Sequence, residues 1–184
     1  MRKEASSSIG YLLIFGLFLI AGIIIAFVLY KGKVFTNQRS VDDTLTTACL
    51  ATLVMDDDYY FVTKEQGNGV LRFKDKDKSY NKYNEVIMNA KADNEQFYQG
   101  LEMTDLVMYE VYPDRIDITS FNKDGTKTQS TGRLGTVYTP AGEEVKRTSC
   151  YCKIKLLVDG MNDTSTETTK DCYCLMKFKE DHNV

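Results

Sequence analysis

Hydrophobic positions are concentrated at one end of the chain. Residues 9–30 read IGYLLIFGLFLIAGIIIAFVLY, 22 positions without a charged side chain. At about 1.5 Å per residue a helix of this length reaches roughly 33 Å, enough to cross a hydrocarbon core of about 30 Å. Past Lys31-Gly32-Lys33 the pattern turns amphipathic. Val41, Leu45, Ala48, Cys49, Thr52 and Leu53 recur at helical spacing within VDDTLTTACLATLVMDDD, and no proline lies between Gly10 and Asp58. The pattern predicts one helix over about residues 8–56, apolar in its first half and amphipathic in its second, with Gly32 as a candidate bend.

Beyond Asp58 the pattern shortens. Residues 59–64 (YYFVTK) and 70–74 (VLRFK) are expected as two short strands around a turn at Gly67 and Gly69. The charged stretch KDKDKS leads through Ser79 into an amphipathic helix expected over 80–99. Tyr83, Ile87, Ala90, Asn94, Phe97 and Leu101 share its face, and Gly100 is placed to end it. Strands follow at 105–112 and 115–121 around Pro113-Asp114, then a tight turn at 122–125 (NKDG). One edge strand is expected within 126–142, best placed at 135–139 (GTVYT). Residues 146–158 and 168–179 form a hairpin pair across DGMNDTSTE. The expected fold is α+β: a long N-terminal helix, membrane-spanning in one half and an amphipathic stem in the other, packed with a second helix on an antiparallel sheet. The implied organisation is a short basic leader (1–8), a transmembrane helix (9–30), a helical stem (31–58) and an extracytoplasmic head (59–184) ending in a cysteine hairpin (146–179).

That hairpin repeats a motif: Cys150-Tyr151-Cys152 mirrors Cys172-Tyr173-Cys174. Paired antiparallel about residue 162, Cys150 faces Cys174 and Cys152 faces Cys172. All four sulfurs fall on one face and both tyrosines on the other. Two rungs of disulfide are the first expectation; a tetrathiolate metal site and four reduced thiols are the alternatives. Cys49 lies on the apolar face of the stem with Leu45 and Leu53, as a buried free thiol or as a partner for one ladder cysteine. On the first expectation the chain holds no metal and no cofactor.

Composition narrows the function. There are 23 basic and 26 acidic residues, a net charge of −3, so nucleic acid is not an expected partner. With two prolines and no repeat, the roughly 150 residues after the apolar run make one domain. The lone histidine is His182, and no HExxH, GxSxG, P-loop or GxGxxG motif is present, so no enzyme is expected. Asp75-x-Asp77-x-Ser79 opens like a calcium loop, but Tyr80 and Val86 stand where Gly and Glu belong; the run is expected as a solvated loop. Asp56, Asp57 and Asp58 are expected as an acidic cluster at a helix terminus, with divalent-cation binding as the alternative. Asn162-Asp163-Thr164 matches a glycosylation sequon.

Three accounts compete for the apolar run: membrane anchor, cleaved signal peptide and buried core helix. Its length exceeds the about 7–15 residues of a signal core, and it exits through FVLYKGKVF without an A-x-A site, which favours the anchor. Arg2 and Lys3 on one side nearly balance Lys31, Lys33 and Arg39 on the other; the cysteines and the short N-terminal flank favour N-in, C-out. Gly16, Gly22 and Ala26 are small, and Gly22-x-x-x-Ala26 is a spacing that lets a second helix approach.

From Arg2 to Asp58, RKEASSSIGYLLIFGLFLIAGIIIAF and then VDDTLTTACLATLVMDDD, the chain resembles type IV pilins and pseudopilins, and among them TadE-type minor pilins of tight-adherence and related secretion systems. The resemblance covers about a third of the chain; the head is similar only in its order of elements. It implies a structural subunit of a surface filament or secretion apparatus, joined through its N-terminal helix to itself or to other pilin-like subunits, on assembly-platform proteins at the membrane. Gly16, Gly22 and Ala26 would lie in the helix bundle, and Leu45, Cys49 and Leu53 would hold the head. The implied processing point is Ala5–Ser6. Cutting there puts Gly10 at the fifth mature position, where prepilins carry Glu, and this departure points to a minor, priming or uncleaved subunit. The alternative is a signal-anchored extracytoplasmic binding or accessory module of a conjugation or transport system. A thiol or metal sensor built on the cysteine ladder ranks third.

Overall fold

The computed structural model of the chain describes residues 2–93, 100–159 and 165–178. It divides into two compact units, 1–41 and 42–184. Helix α1, Arg2–Thr52, belongs to both and runs through Gly32 without a break. Its backbone is helical from Arg2, and Ala5 and Ser6 lie within the helix. In the first unit the large apolar side chains from Tyr11 to Leu29 are all exposed, Leu12 by 75% and Phe18 by 73%.

The second unit is built on a five-stranded antiparallel sheet ordered β3-β2-β1-β4-β5. The strands are β1, Glu102–Val111; β2, Ile116–Asn122; β3, Lys127–Gly132; β4, Ser149–Asp159; and β5, Ser165–Leu175. Strands β1 and β2 stand where the alternation puts them, and Asn122–Gly125 makes the expected tight turn before β3. There Asn122 Oδ1 accepts from the backbone of Asp124 and Thr126, and Gly125 takes a φ of 76°. The edge strand is not at 135–139. It is β3, whose residues all carry side chains exposed or nearly so; Val137 instead turns into the core. A polar strand shows no hydrophobic alternation, which is why its position was misplaced.

Other expectations are corrected near the stem. Helix α1 stops at Thr52, where Leu53 N–H bonds to Leu50 O at 3.0 Å and Val54 N–H to Thr52 O at 2.8 Å. The aspartates do not end the stem; they open a second helix, α2, Asp57–Glu65. Asp56 caps it by accepting from Tyr59 N–H, and Asp57 and Asp58 lie in its first turn. The strand expected at 59–64 is therefore helix: an N-cap, acidic first turn and Lys64 in the last turn outweigh the strand preference of Tyr-Tyr-Phe-Val. Residues 70–74 join no sheet strand and make one isolated bridge, Met55 to Phe73. Helix α3 spans Lys76–Asp93, starting earlier than expected because Asp75 Oδ1 caps it, accepting from Asp77 and Lys78 N–H. The calcium-like run is thus the first turn of α3. The expected helix end at 94–99, the turn and sequon at 160–164, the last residue of the expected hairpin and His182 lie outside the described residues.

Both faces of the sheet are covered. On one, Val107, Tyr109, Ile116 and Tyr151 pack with Val137 and Val145 from the connection between β3 and β4. On the other lie Leu106, Met108, Cys150, Cys152 and Ile154, all fully or almost fully buried. Residues of α1 from Asp42 onward cover this second face: Leu45, Ala48, Cys49 and Thr52 are buried, and Lys170 of β5 pairs with Asp42 at 2.9 Å. Helix α3 contributes Tyr83 and Ile87 to the buried set. Its start is clamped by Glu110, which accepts from Phe73 N–H at 2.9 Å and pairs with Lys76 Nζ at 2.7 Å; Lys76 also donates to Thr119 Oγ1. A buried carboxylate needs such partners for each oxygen.

Candidate functional site

Two features stand apart from ordinary core. The first is the bare helix of the first unit. It is long and apolar enough to cross a membrane, and none of its apolar stretch is buried within the chain. Gly22 and Ala26 are exposed and Gly16 nearly so; a Cβ built on either glycine would meet no atom within 4 Å. Among the described residues none lies against these small positions, so a closely approaching helix has room there.

The second feature is a nest of five thiols in the second unit. The register places Cys150 opposite Cys174 and Cys152 opposite Cys172, with Tyr151 opposite Tyr173 on the other face, as the mirrored motif requires. Helix α1 adds Cys49, whose thiol donates to the Cys150 carbonyl at 3.5 Å. The expected disulfide rungs are absent: all five cysteines are free. The strands pair correctly, but no two sulfurs are bonded across them. Cys172 leans along its own strand to within 3.6 Å of Cys174, Cys152 Sγ turns to the Cys172 carbonyl at 3.7 Å, and Cys150 Sγ turns to the Tyr151 carbonyl at 4.0 Å. Cys49, Cys172 and Cys174 bring their sulfurs within 4.8 Å of one another.

Hydrogen bonding and burial push the thiols in different directions. Hydrogen bonding to Cys150 and then to the other three ladder cysteines, with burial, pushes the Cys49 thiol up. Cys152 is raised, chiefly by its bond to Cys172. Cys172, the most accessible of the five, is lowered by bonds from Cys152 and then Cys49. Thr46 Oγ1 stands 3.8 Å from its sulfur. Above the nest lies Tyr83, fully buried, its hydroxyl without a hydrogen-bond partner. Burial raises that phenol, and the nearby sulfurs of Cys152, Cys150 and Cys49 raise it further.

Of the residues singled out in the sequence, Leu45 and Cys49 join the four ladder cysteines. Leu53 falls one residue past the helix and is only partly buried. Helical spacing marked Tyr83 as core but held no sign that it faces thiols, since that depends on how α3 meets β4. Also missed was a groove of about 640 Å³ flanked by Tyr60, Tyr112 and Phe178 with Lys146, Arg147 and Lys177. Its residues come from six separate stretches of chain, which no local pattern links. Comparison with family models, with curated proteins and with solved structures finds no match for this chain.

Proposed function

We propose that this chain is a pilin-like structural subunit of a surface filament or secretion apparatus, anchored N-in and C-out by α1. It associates with copies of itself or with similar subunits through the stripe of Gly16, Gly22 and Ala26, and its role is mechanical rather than enzymatic. The observation that carries the reading is the contrast within α1: an exposed apolar stretch continues into a stretch buried under the sheet of an α+β head. Such a helix ties a water-soluble domain to an apolar medium, either lipid or a bundle of like helices. Assembly-platform proteins in the membrane are the expected further partners.

Gly10 in place of Glu at the fifth position after Ala5 favours a second reading, a membrane-retained accessory module. Intact mass of the protein from host membranes and from the sheared surface fraction separates the two. A chain shortened by five residues in the sheared fraction supports the processed subunit. A full-length chain confined to membranes supports the accessory module and sinks the filament role.

A further inference from the structure

The thiol nest is not needed to anchor or display the head, and its geometry fits a ligand better than it fits a bridge. Cys172 and Cys174 lie two apart on one strand, so their Cα atoms are about 6.6 Å apart, at the far limit for a disulfide. Their sulfurs are nevertheless 3.6 Å from each other. Four thiolates around a tetrahedral cation at about 2.3 Å stand about 3.8 Å apart, close to that separation. Cys49 completes a triangle with them, inside 4.8 Å on every side. Cys152 lies next to Cys172, with its sulfur 3.7 Å from the Cys172 carbonyl.

A second observation points the same way. The buried hydroxyl of Tyr83 has no partner within full hydrogen-bond geometry, and the acceptor near enough to interact with it is the Cys152 sulfur. An unpaired buried hydroxyl costs stability, and a thiolate bound to a cation would accept its proton in a hydrogen bond. Entry is open as well: Cys172 is partly exposed on β5, the edge strand, while the other four thiols are buried.

We propose that Cys49, Cys172 and Cys174, with Cys152 as fourth ligand, hold one soft d10 cation, Zn2+ in a four-sulfur site or Cu+ in a three-sulfur site, and that Tyr83 donates to the ligating sulfur of Cys152 or its neighbour. Binding displaces the thiol protons to solvent, and no electron transfer is involved. The cation ties α1 to the terminal hairpin, joining stem and sheet by coordination.

The test uses the reduced, metal-free full-length protein in detergent. Titration with Co2+ is expected to give one equivalent of a thiolate-to-metal charge-transfer band, displaced by Zn2+. Cu+ is titrated separately against a chelator, and X-ray absorption counts the sulfurs: four with Zn2+ or three with Cu+ each support the site. The C172S/C174S double variant should lose at least about 100-fold in affinity and Tyr83→Phe about 10-fold, while Cys150→Ser keeps the band. Circular dichroism checks that each variant is folded. The wild-type stoichiometry and sulfur count stand even where a variant is not. Absence of a sulfur-ligated band in folded wild type, a band that survives in C172S/C174S, or pairing of these cysteines as disulfides in protein from its own host would each overturn the proposal.

Discussion

The two halves of α1 belong to one continuous helix and meet opposite surroundings. From Tyr11 to Leu29 every large apolar side chain is at least half exposed, whichever way it points around the helix. From Leu45 to Thr52 burial follows the helical period: Leu45, Ala48, Cys49 and Thr52 are sealed against the sheet, and Leu50 faces outward at 55% exposure. The first half has apolar content without a stripe, and the second has a stripe with modest content. Only the stripe specifies a partner inside the chain. The uniform half requires an apolar environment or other helices, because no single face of it can be satisfied by one sheet.

The comparison makes its largest prediction on stability. Leu45→Ala should lower the unfolding free energy of the head by about 2–5 kcal/mol, since it empties a fully buried site between helix and sheet. Leu19→Ala should leave it within about 0.5 kcal/mol. Denaturant titration in detergent, followed by the head's tyrosine signal, measures both. Similar losses at the two sites would break the contrast. The converse experiment is Ile20→Arg, which should weaken membrane insertion by about 3 kcal/mol near the middle of a span. Membrane flotation should show the chain shifting to the soluble fraction, with the head's unfolding midpoint unchanged.

The same contrast explains what was legible in the sequence. Long-period features were: the apolar run, the stem face, β1, β2 and the mirrored cysteine hairpin, whose register about residue 162 follows from its own symmetry. Elements decided by one capping residue were not. Asp56, Asp57 and Asp58 read equally well as the end of one helix or the start of another, and only the Asp56 side chain bonding forward to Tyr59 decides. The thiol nest was half legible. The strands put four cysteines on one face and Cys49 was open as a partner for one of them, but its meeting Cys172 and Cys174 together depends on how the stem crosses that face. Whether opposed cysteines bridge depends on side-chain lean, which spacing does not encode. Tyr83, marked locally only as core, and Glu110, with no local mark, owe their roles to contacts far apart in sequence.

A smaller effect probes the bare half directly. Gly22→Leu fills the space that the small-residue stripe leaves open and should weaken helix association by about 1 kcal/mol, roughly a five-fold rise in the dissociation constant. Energy transfer between labelled copies in vesicles reads this out. Ile24→Ala, also exposed but on the opposite side of the helix from Gly22 and Ala26, should change it little. Equal effects at both positions would mean that the association does not use the Gly22–Ala26 face.

The smallest effect separates the halves by pH. Residues 10–30 carry no acidic or basic side chain, so insertion should be flat through the acid range. The head should not be. Asp56 accepts from Arg72 Nε at 2.9 Å and Nη2 at 2.6 Å, and these bonds hold its carboxyl below the ordinary 3.8; the bond from Tyr59 N–H adds to this. A group whose pKa is lower folded than unfolded stabilises the fold above the unfolded value, near 3.9, and that contribution disappears as pH falls through the folded value. Arg72 is 38% exposed, so water screens the pair and the contribution stays below about 1 kcal/mol. Asp56→Asn keeps a competent helix cap but removes the charge. The wild type should therefore be slightly more stable than this variant at pH 6, with the difference closing below about pH 4. A difference that persists at pH 2 would assign the effect to cap geometry, and the turn out of the stem would then depend on shape alone.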